Sequence, residues 1–260
     1  WHINLVALNA VVDVESGRGC GEPTKEALEE LMGAVELFRA DFGALFDRGA
    51  ERVRLMTPQG RLLDGDTALH ALVDLWCRTR TSVHGAIAVP LTAALAVDRI
   101  AEKHGREVIR PGRSRRALAQ AVLDGRAAFA GSTVGGFIFG DFFPAFDGVL
   151  SVGMLARMMA AEMTTLDQVV DDLPAFHKEH IAVFCPTDRK GVVMRAVTDA
   201  ASGLSPDLEE GVRVRYDDGW ALVLPDAGDP VVNVWAEADG VDAARERARE
   251  WARVVEEVVA

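Results

Sequence analysis

Up to Pro174, short apolar runs alternate with helical periodicities at the spacing of βαβ units; beyond it, strands follow one another. That change of pattern constrains the fold more than any single motif. Parallel strands need a crossover, usually a helix, so the earlier part predicts a partly parallel sheet covered on both faces. A run of strands flanked by helices predicts an α+β unit with an antiparallel sheet. The expected fold is therefore α/β: two mixed α/β units followed by a small α+β domain, with boundaries at 1–80, 81–174 and 175–260.

Helical spacing of Leu28, Met32, Val35 and Phe38 predicts a helix over Thr24–Ala40, capped by Thr24. Phe42–Phe46 reads as a buried strand, and Val53–Met56 with Arg61–Leu63 as a hairpin around Pro58-Gln59-Gly60. Asp66 is the expected cap of the next helix, and Thr92 that of a helix running to His104. Strands are predicted at Ala86–Val89, Glu107–Ile109, Ala127–Ala130 and Phe137–Phe139, and Asp147 opens a long helix. In the last part the pattern gives strands Ile181–Phe184, Val212–Arg215, Trp220–Val223 and Val231–Ala236, with helices Gly191–Ala201 and Val241–Val259.

A formal charge of −12 over 260 residues excludes an extended nucleic-acid surface, which needs clustered Lys and Arg. The basic run Arg110–Arg116 suits a small anion better than a polymer. Cys20, Cys77 and Cys185 follow no metal or redox spacing and read as free thiols. The six histidines, His2, His70, His84, His104, His177 and His180, form no paired ligand motif. No apolar run reaches the ~18 residues of a membrane helix, and the opening WHINLVALN has no charged stretch before an apolar core and does not read as a signal peptide, so a cytoplasmic protein is expected. The chain starts Trp1-His2-Ile3 without an initiator methionine and reads as a fragment or a processed product.

Four segments, in order, resemble one family. ADFGALFDRGAER (Ala40–Arg52) resembles the metal loop of the α-D-phosphohexomutases, A-D-L-G-I-A-x-D-G-D-x-D-R. REVIRPGRSRRAL (Arg106–Leu118) is similar to their V-x-R-T-x-V-G-x-R/K segment, and GSTVGGFIFGDFFPAFDGVL (Gly131–Leu150) to their sugar-recognition loop. DGWALVLPDAGDPVVNVWAEA (Asp218–Ala238) resembles the two strands around their phosphate loop, R-P-S-G-T-E-P. The likeness is to the phosphomannomutase-like module of bacterial sugar-phosphate guanylyltransferase fusions. It implies that the first α/β unit is incomplete and that the phosphoserine-bearing domain has no counterpart here.

Carried over residue by residue, the resemblance makes Asp47 and Glu51 the candidate Mg²⁺ ligands, with Gly49 in place of a third carboxylate. Arg52, Arg110, Arg116 and Ser132 become the candidate phosphate and substrate contacts, with Arg113 and Arg115 as added charge. The same residues also read as a solvated turn and a solvated cationic face. The phosphate loop is altered in its chemistry: Leu224 replaces arginine, Asp226 serine and Gly228 threonine, with Ala227 and Asp229 beside them. A carboxylate at 4 Å from a phosphate costs about 4 kcal/mol at an effective dielectric of 20. The implied function is phosphotransfer between hexose phosphate isomers, with the isolated chain expected to be inactive. The alternative is a non-catalytic sugar-phosphate sensor or scaffold. The implied partners are a hexose phosphate and an upstream mutase or nucleotidyltransferase domain.

Overall fold

The computed structural model describes residues 3–10, 24–112 and 114–259; His2, Cys20 and Arg113, named above, lie outside them. The chain divides into two compact units, Trp1–Pro174 and Ala175–Ala260. Among the described residues no helix is long and apolar enough to cross a membrane.

The first unit opens with helix α1 (Lys25–Phe38), whose first turn is capped by the Thr24 hydroxyl accepting from Ala27 N–H. It packs through Leu31 and Val35 on a two-stranded antiparallel sheet, β1 (Gly43–Phe46) and β2 (Val53–Met56). The face predicted from Met32 and Phe38 is rotated outward, and both are about half exposed. A two-stranded sheet covers only a narrow stripe of a helix, so the periodicity alone did not locate it. Phe46 is exposed too, against the expectation of a fully buried strand, and Arg61–Leu63 contributes only a single bridge, Met56 to Leu62.

The main sheet of this unit has the order β4-β3-β5-β6, from β3 (Ala86–Ala88), β4 (Val108–Ile109), β5 (Ala127–Gly131) and β6 (Phe137–Phe139). The first three run parallel and β6 returns antiparallel to β5. Alternation along β5 sends Phe129 to one face and Ala130 to the other. Phe129 packs on Trp76 of α2 (Gly65–Thr79), ring centroids 5.4 Å apart, in a core that also holds Leu69 and Leu72 of α2 and Met154 and Leu155 of α5 (Gly148–Glu162). Ala130 joins Leu118, Ala121 and Val122 of α4 (Arg115–Leu123). Both faces are thus covered, as the continuous apolar strands require. Helices α3 (Ala96–Lys103) and α6 (Leu166–Asp171) complete the unit.

Two caps differ from the sequence reading. Asp64, not Asp66, caps α2 by accepting from Thr67 N–H at 2.9 Å. Asp66 is buried and accepts instead from Ala94 N–H at 3.1 Å, a contact across 28 positions. Helix α3 accordingly starts at Ala96 rather than at Thr92, because a turn over Pro90–Ala93 comes first.

The second unit is one antiparallel sheet of order β7-β10-β9-β8. Its strands are β7 (His177–Phe184), β8 (Val212–Tyr216), β9 (Gly219–Pro225) and β10 (Val231–Ala238). Strand β7 extends four residues ahead of the predicted Ile181 because it pairs along all of β10, from Ala238 to Val231. His180 on that extension stacks on Trp235 and bonds Asn233 Oδ1 at 2.9 Å, which gives it a structural role. Helices α7 (Lys190–Ala201) and α8 (Val241–Val259) cover one face. Ala244, Ala248, Trp251, Ala252 and Val255 form the apolar stripe of α8 at helical spacing.

Candidate functional site

Three of the four segments singled out from the sequence come together in the first unit. The loop 47–52 joins β1 to β2 and closes on itself: Asp47 N–H donates to Arg52 C=O at 3.1 Å and Ala50 N–H to Asp47 C=O at 3.0 Å. The turn 132–136 between β5 and β6 lies beside it, since Val53 N–H donates to Gly135 C=O at 2.9 Å. The first residue of α5 meets the same loop, Gly148 N–H donating to Ala50 C=O at 2.7 Å. Finally Arg115, at the start of α4, forms an ion pair with Glu51. The loops after β4 and β5 issue from the carboxyl ends of parallel strands, where open α/β sheets bind ligands.

Close packing of these loops depends on two glycines. A Cβ on Gly65 would lie 1.7 Å from the Thr133 carbonyl oxygen, so only glycine lets α2 start against this turn. Gly135 adopts φ +87°, and a Cβ there would sit 2.3 Å from Val53 C=O. Between the hairpin, the start of α2 and this turn is a pocket of about 150 Å³, lined by Asp47, Arg52, Arg54, Thr133 and Gly135 among others. It is smaller than the roughly 300 Å³ at which sites for whole small molecules begin. It can take one polar group, with the rest of a ligand lying outside.

Asp47 ties the loop together through three hydrogen bonds. Its Oδ1 accepts from Glu51 N–H and Arg52 N–H, each at 3.0 Å, and its Oδ2 from Arg52 Nε at 2.9 Å. Burial pushes its carboxyl up. The Arg52 N–H, the Arg52 guanidinium with its charge, and the Glu51 N–H together outweigh burial and hold it below the usual carboxylate range. Among the described residues no three His, Cys, Asp or Glu side chains converge as a metal would require. The two candidate ligands are each engaged by an arginine, and Gly49 offers no side chain between them. This donor set does not fit Mg²⁺, which calls for octahedral oxygen ligands.

The remaining candidates divide. Arg110 is drawn away into a bidentate pair with Asp98, at 2.8 and 2.6 Å. Ser132 is buried and its Oγ accepts from Gly136 N–H at 3.0 Å, so the hydroxyl stabilises its own turn. Arg116 is exposed in the first turn of α4, one residue from Arg115. Arg115 is the functional candidate that the sequence undervalued; its partner lies 64 positions away, and no local signal carries such a pair.

In the second unit, the turn between β9 and β10 is closed by its own carboxylate. Asp226 Oδ1 accepts from Gly228 N–H at 2.9 Å and from Asp229 N–H at 3.1 Å. Lys190 Nζ donates to the carbonyls of Asp226 and Asp229, both at 2.6 Å. Leu224 stays in β9, paired with Asn233, and Ala227 and Gly228 are at the surface. The N–H groups of Gly228 and Asp229 are thus already satisfied.

Residues 64–176 match the profile of "Phosphoglucomutase/phosphomannomutase, alpha/beta/alpha domain III". A "Probable phosphoglucosamine mutase" of Methanopyrus kandleri is 30% identical over 98% of this chain and 56% of its own length. A "Phosphoglucomutase/phosphomannomutase" of Thermococcus kodakarensis is 27% identical with the same coverage, 98% and 56%. This chain therefore spans about half the length of the relatives it matches. Among solved structures, a phosphoglucomutase/phosphomannomutase family protein of Burkholderia thailandensis superposes with a TM-score of 0.74 at 18% identity, covering 90% of this chain and 50% of that one. The N-acetylphosphoglucosamine mutase of Aspergillus fumigatus, solved with GlcNAc-6P and magnesium, gives 0.62 at 15% identity, covering 82% and 51%.

Proposed function

Since the chain belongs to the α-D-phosphohexomutase superfamily, we propose that it is a hexose-phosphate-binding module of a mutase-type system. In this reading it contributes recognition and not the phosphoryl donor. The observation that carries it is the meeting of loops 47–52 and 132–136 with the start of α4. Phosphoryl transfer depends mainly on positioning and charge stabilisation. Arg52 and Arg54 supply charge to the pocket lining and Thr133 and the backbone of Gly135 supply polar groups there, while Arg115 adds charge beside loop 47–52 through its pair with Glu51. Guanidinium groups match a phosphate in geometry as well as charge. The sugar class follows from the relatives and covers glucose, mannose and glucosamine phosphates.

Turnover needs a phosphoserine, for which these 260 residues contain no matching segment. It therefore needs a donor from another domain or chain, a mutase domain or a nucleotidyltransferase fusion being the two arrangements consistent with the resemblance. Magnesium belongs to the family expectation, but the carboxylates among the described residues here do not fit it. A purely non-catalytic sensor is the second reading. It is favoured by Asp226 filling the hydrogen-bonding positions of its own turn.

Two assays on the purified chain test the proposal. Millimolar glucosamine 6-phosphate or mannose 6-phosphate should raise the melting temperature, since a ligand at 100 times its Kd adds about 2.7 kcal/mol to stability. A coupled assay for the corresponding 1-phosphate should detect no isomerisation. Absence of any thermal shift with either sugar phosphate refutes the binding module; turnover by the chain alone refutes the missing donor.

A further inference from the structure

We propose that the guanidinium groups of Arg52 and Arg115 take the place of a metal beside Asp47 and Glu51. This end of the unit then meets an anionic ligand with no divalent cation.

Three observations support this. Asp47 has committed both oxygens, one to two backbone N–H groups and the other to Arg52 Nε at 2.9 Å. A carboxylate offers about four acceptor positions, so three of them are in use. Glu51, the second candidate ligand, is paired with Arg115 from a different element. The loop itself holds Asp47 and Glu51 against Arg48 and Arg52, so with Arg115 its surroundings are net positive. A dication entering here would meet two fixed guanidinium charges within the shell where it needs oxygens.

The arrangement also has a positive consequence. Guanidinium stays protonated throughout the physiological range. An anion held by Arg115 and its neighbours should then bind equally well with or without chelator, and between pH 6 and 9 the arginines themselves do not change charge. A metal-held anion would be lost when chelator is added.

The test uses manganese alone on the full chain, so its outcome does not depend on whether a hexose phosphate binds. Mn²⁺ is titrated to millimolar concentration while calorimetric heat and the amide resonances of residues 47–52 are followed. The expected result is no saturable heat and no selective paramagnetic broadening of those amides. Saturable one-site binding that broadens Asp47, Glu51 and Arg52 would overturn the proposal. The double variant Arg52→Gln, Arg115→Gln removes the two charges, and its amide spectrum reports whether it folds. In the folded variant, selective broadening of residues 47–52 should appear, with an apparent affinity at least tenfold above wild type. If the loop resonances show the variant to be folded and it gains no broadening, guanidinium charge is not what excludes the metal, and the proposal fails. Should Arg52→Gln loosen the loop, the single variant Arg115→Gln carries the same comparison through Glu51 alone.

Discussion

Replacing Asp47 by alanine removes three hydrogen bonds at once, those from Glu51 N–H, Arg52 N–H and Arg52 Nε. A hydrogen bond to a charged group contributes about 1.5–3 kcal/mol net. Glu51 is exposed and the Arg52 side chain is 36% exposed, so part of each loss is recovered from water. The remaining cost of opening the loop is about 2–3 kcal/mol, and every ~1.4 kcal/mol is tenfold. Native-state hydrogen exchange at the Glu51 and Arg52 amides should therefore accelerate roughly 30- to 140-fold in Asp47→Ala, while the amides of β3 are unaffected. The effect has a pH signature. Because the folded-state carboxyl titrates below its ordinary value, its stabilising contribution is present above the unfolded pKa and is lost as pH falls through the folded one. Wild-type protection at these two amides should decline below about pH 4, and the variant should show no such decline. Unchanged exchange in Asp47→Ala at neutral pH would refute the claim that this side chain organises the loop.

Gly135→Ala places a Cβ 2.3 Å from Val53 C=O at a backbone angle of φ +87°, and should lower stability by about 3 kcal/mol, read as a fall in melting temperature. Asp226→Ala frees the N–H groups of Gly228 and Asp229, so millimolar inorganic phosphate should shift those two amides in the variant and not in wild type. Burial pushes the Cys77 thiol up to about 12, with Arg106 opposing and Asp74 adding to the shift. Its contribution to stability is complete below the unfolded thiol value and is lost as pH rises toward 12, so Cys77→Ala should flatten the alkaline fall in melting temperature.

Local chemistry predicted the parts of the fold that local chemistry decides. Thr24 and Asp147 cap their helices as their positions before apolar runs imply, Asp147 accepting from Leu150 N–H at 2.8 Å. The apolar strands of the main sheet and the stripe of α8 follow from period alone. Where distant partners decide, the sequence reading was displaced. Asp66 is the cap that the sequence suggests, yet it is taken by the Ala94 N–H, 28 positions away, and Asp64 caps the helix in its place. The polar start of β7, His177 to His180, reads as strand only once β10 is beside it.

The site shows the same division. The segments that meet were legible as motifs, but their state was not. Arg110 is committed to Asp98 and Glu51 to Arg115, and both pairings come from the approach of elements that no spacing rule relates. The cationic run is legible in sequence, but which of its arginines is committed to a distant carboxylate is not.

The most direct test of the binding reading is an amide-resolved titration of the full chain with glucosamine 6-phosphate. Saturable shifts centred on residues 51–52, 115–116 and 133–136, unaltered by chelator, are expected. Shifts confined to other parts of the chain, or none at millimolar ligand, would contradict it.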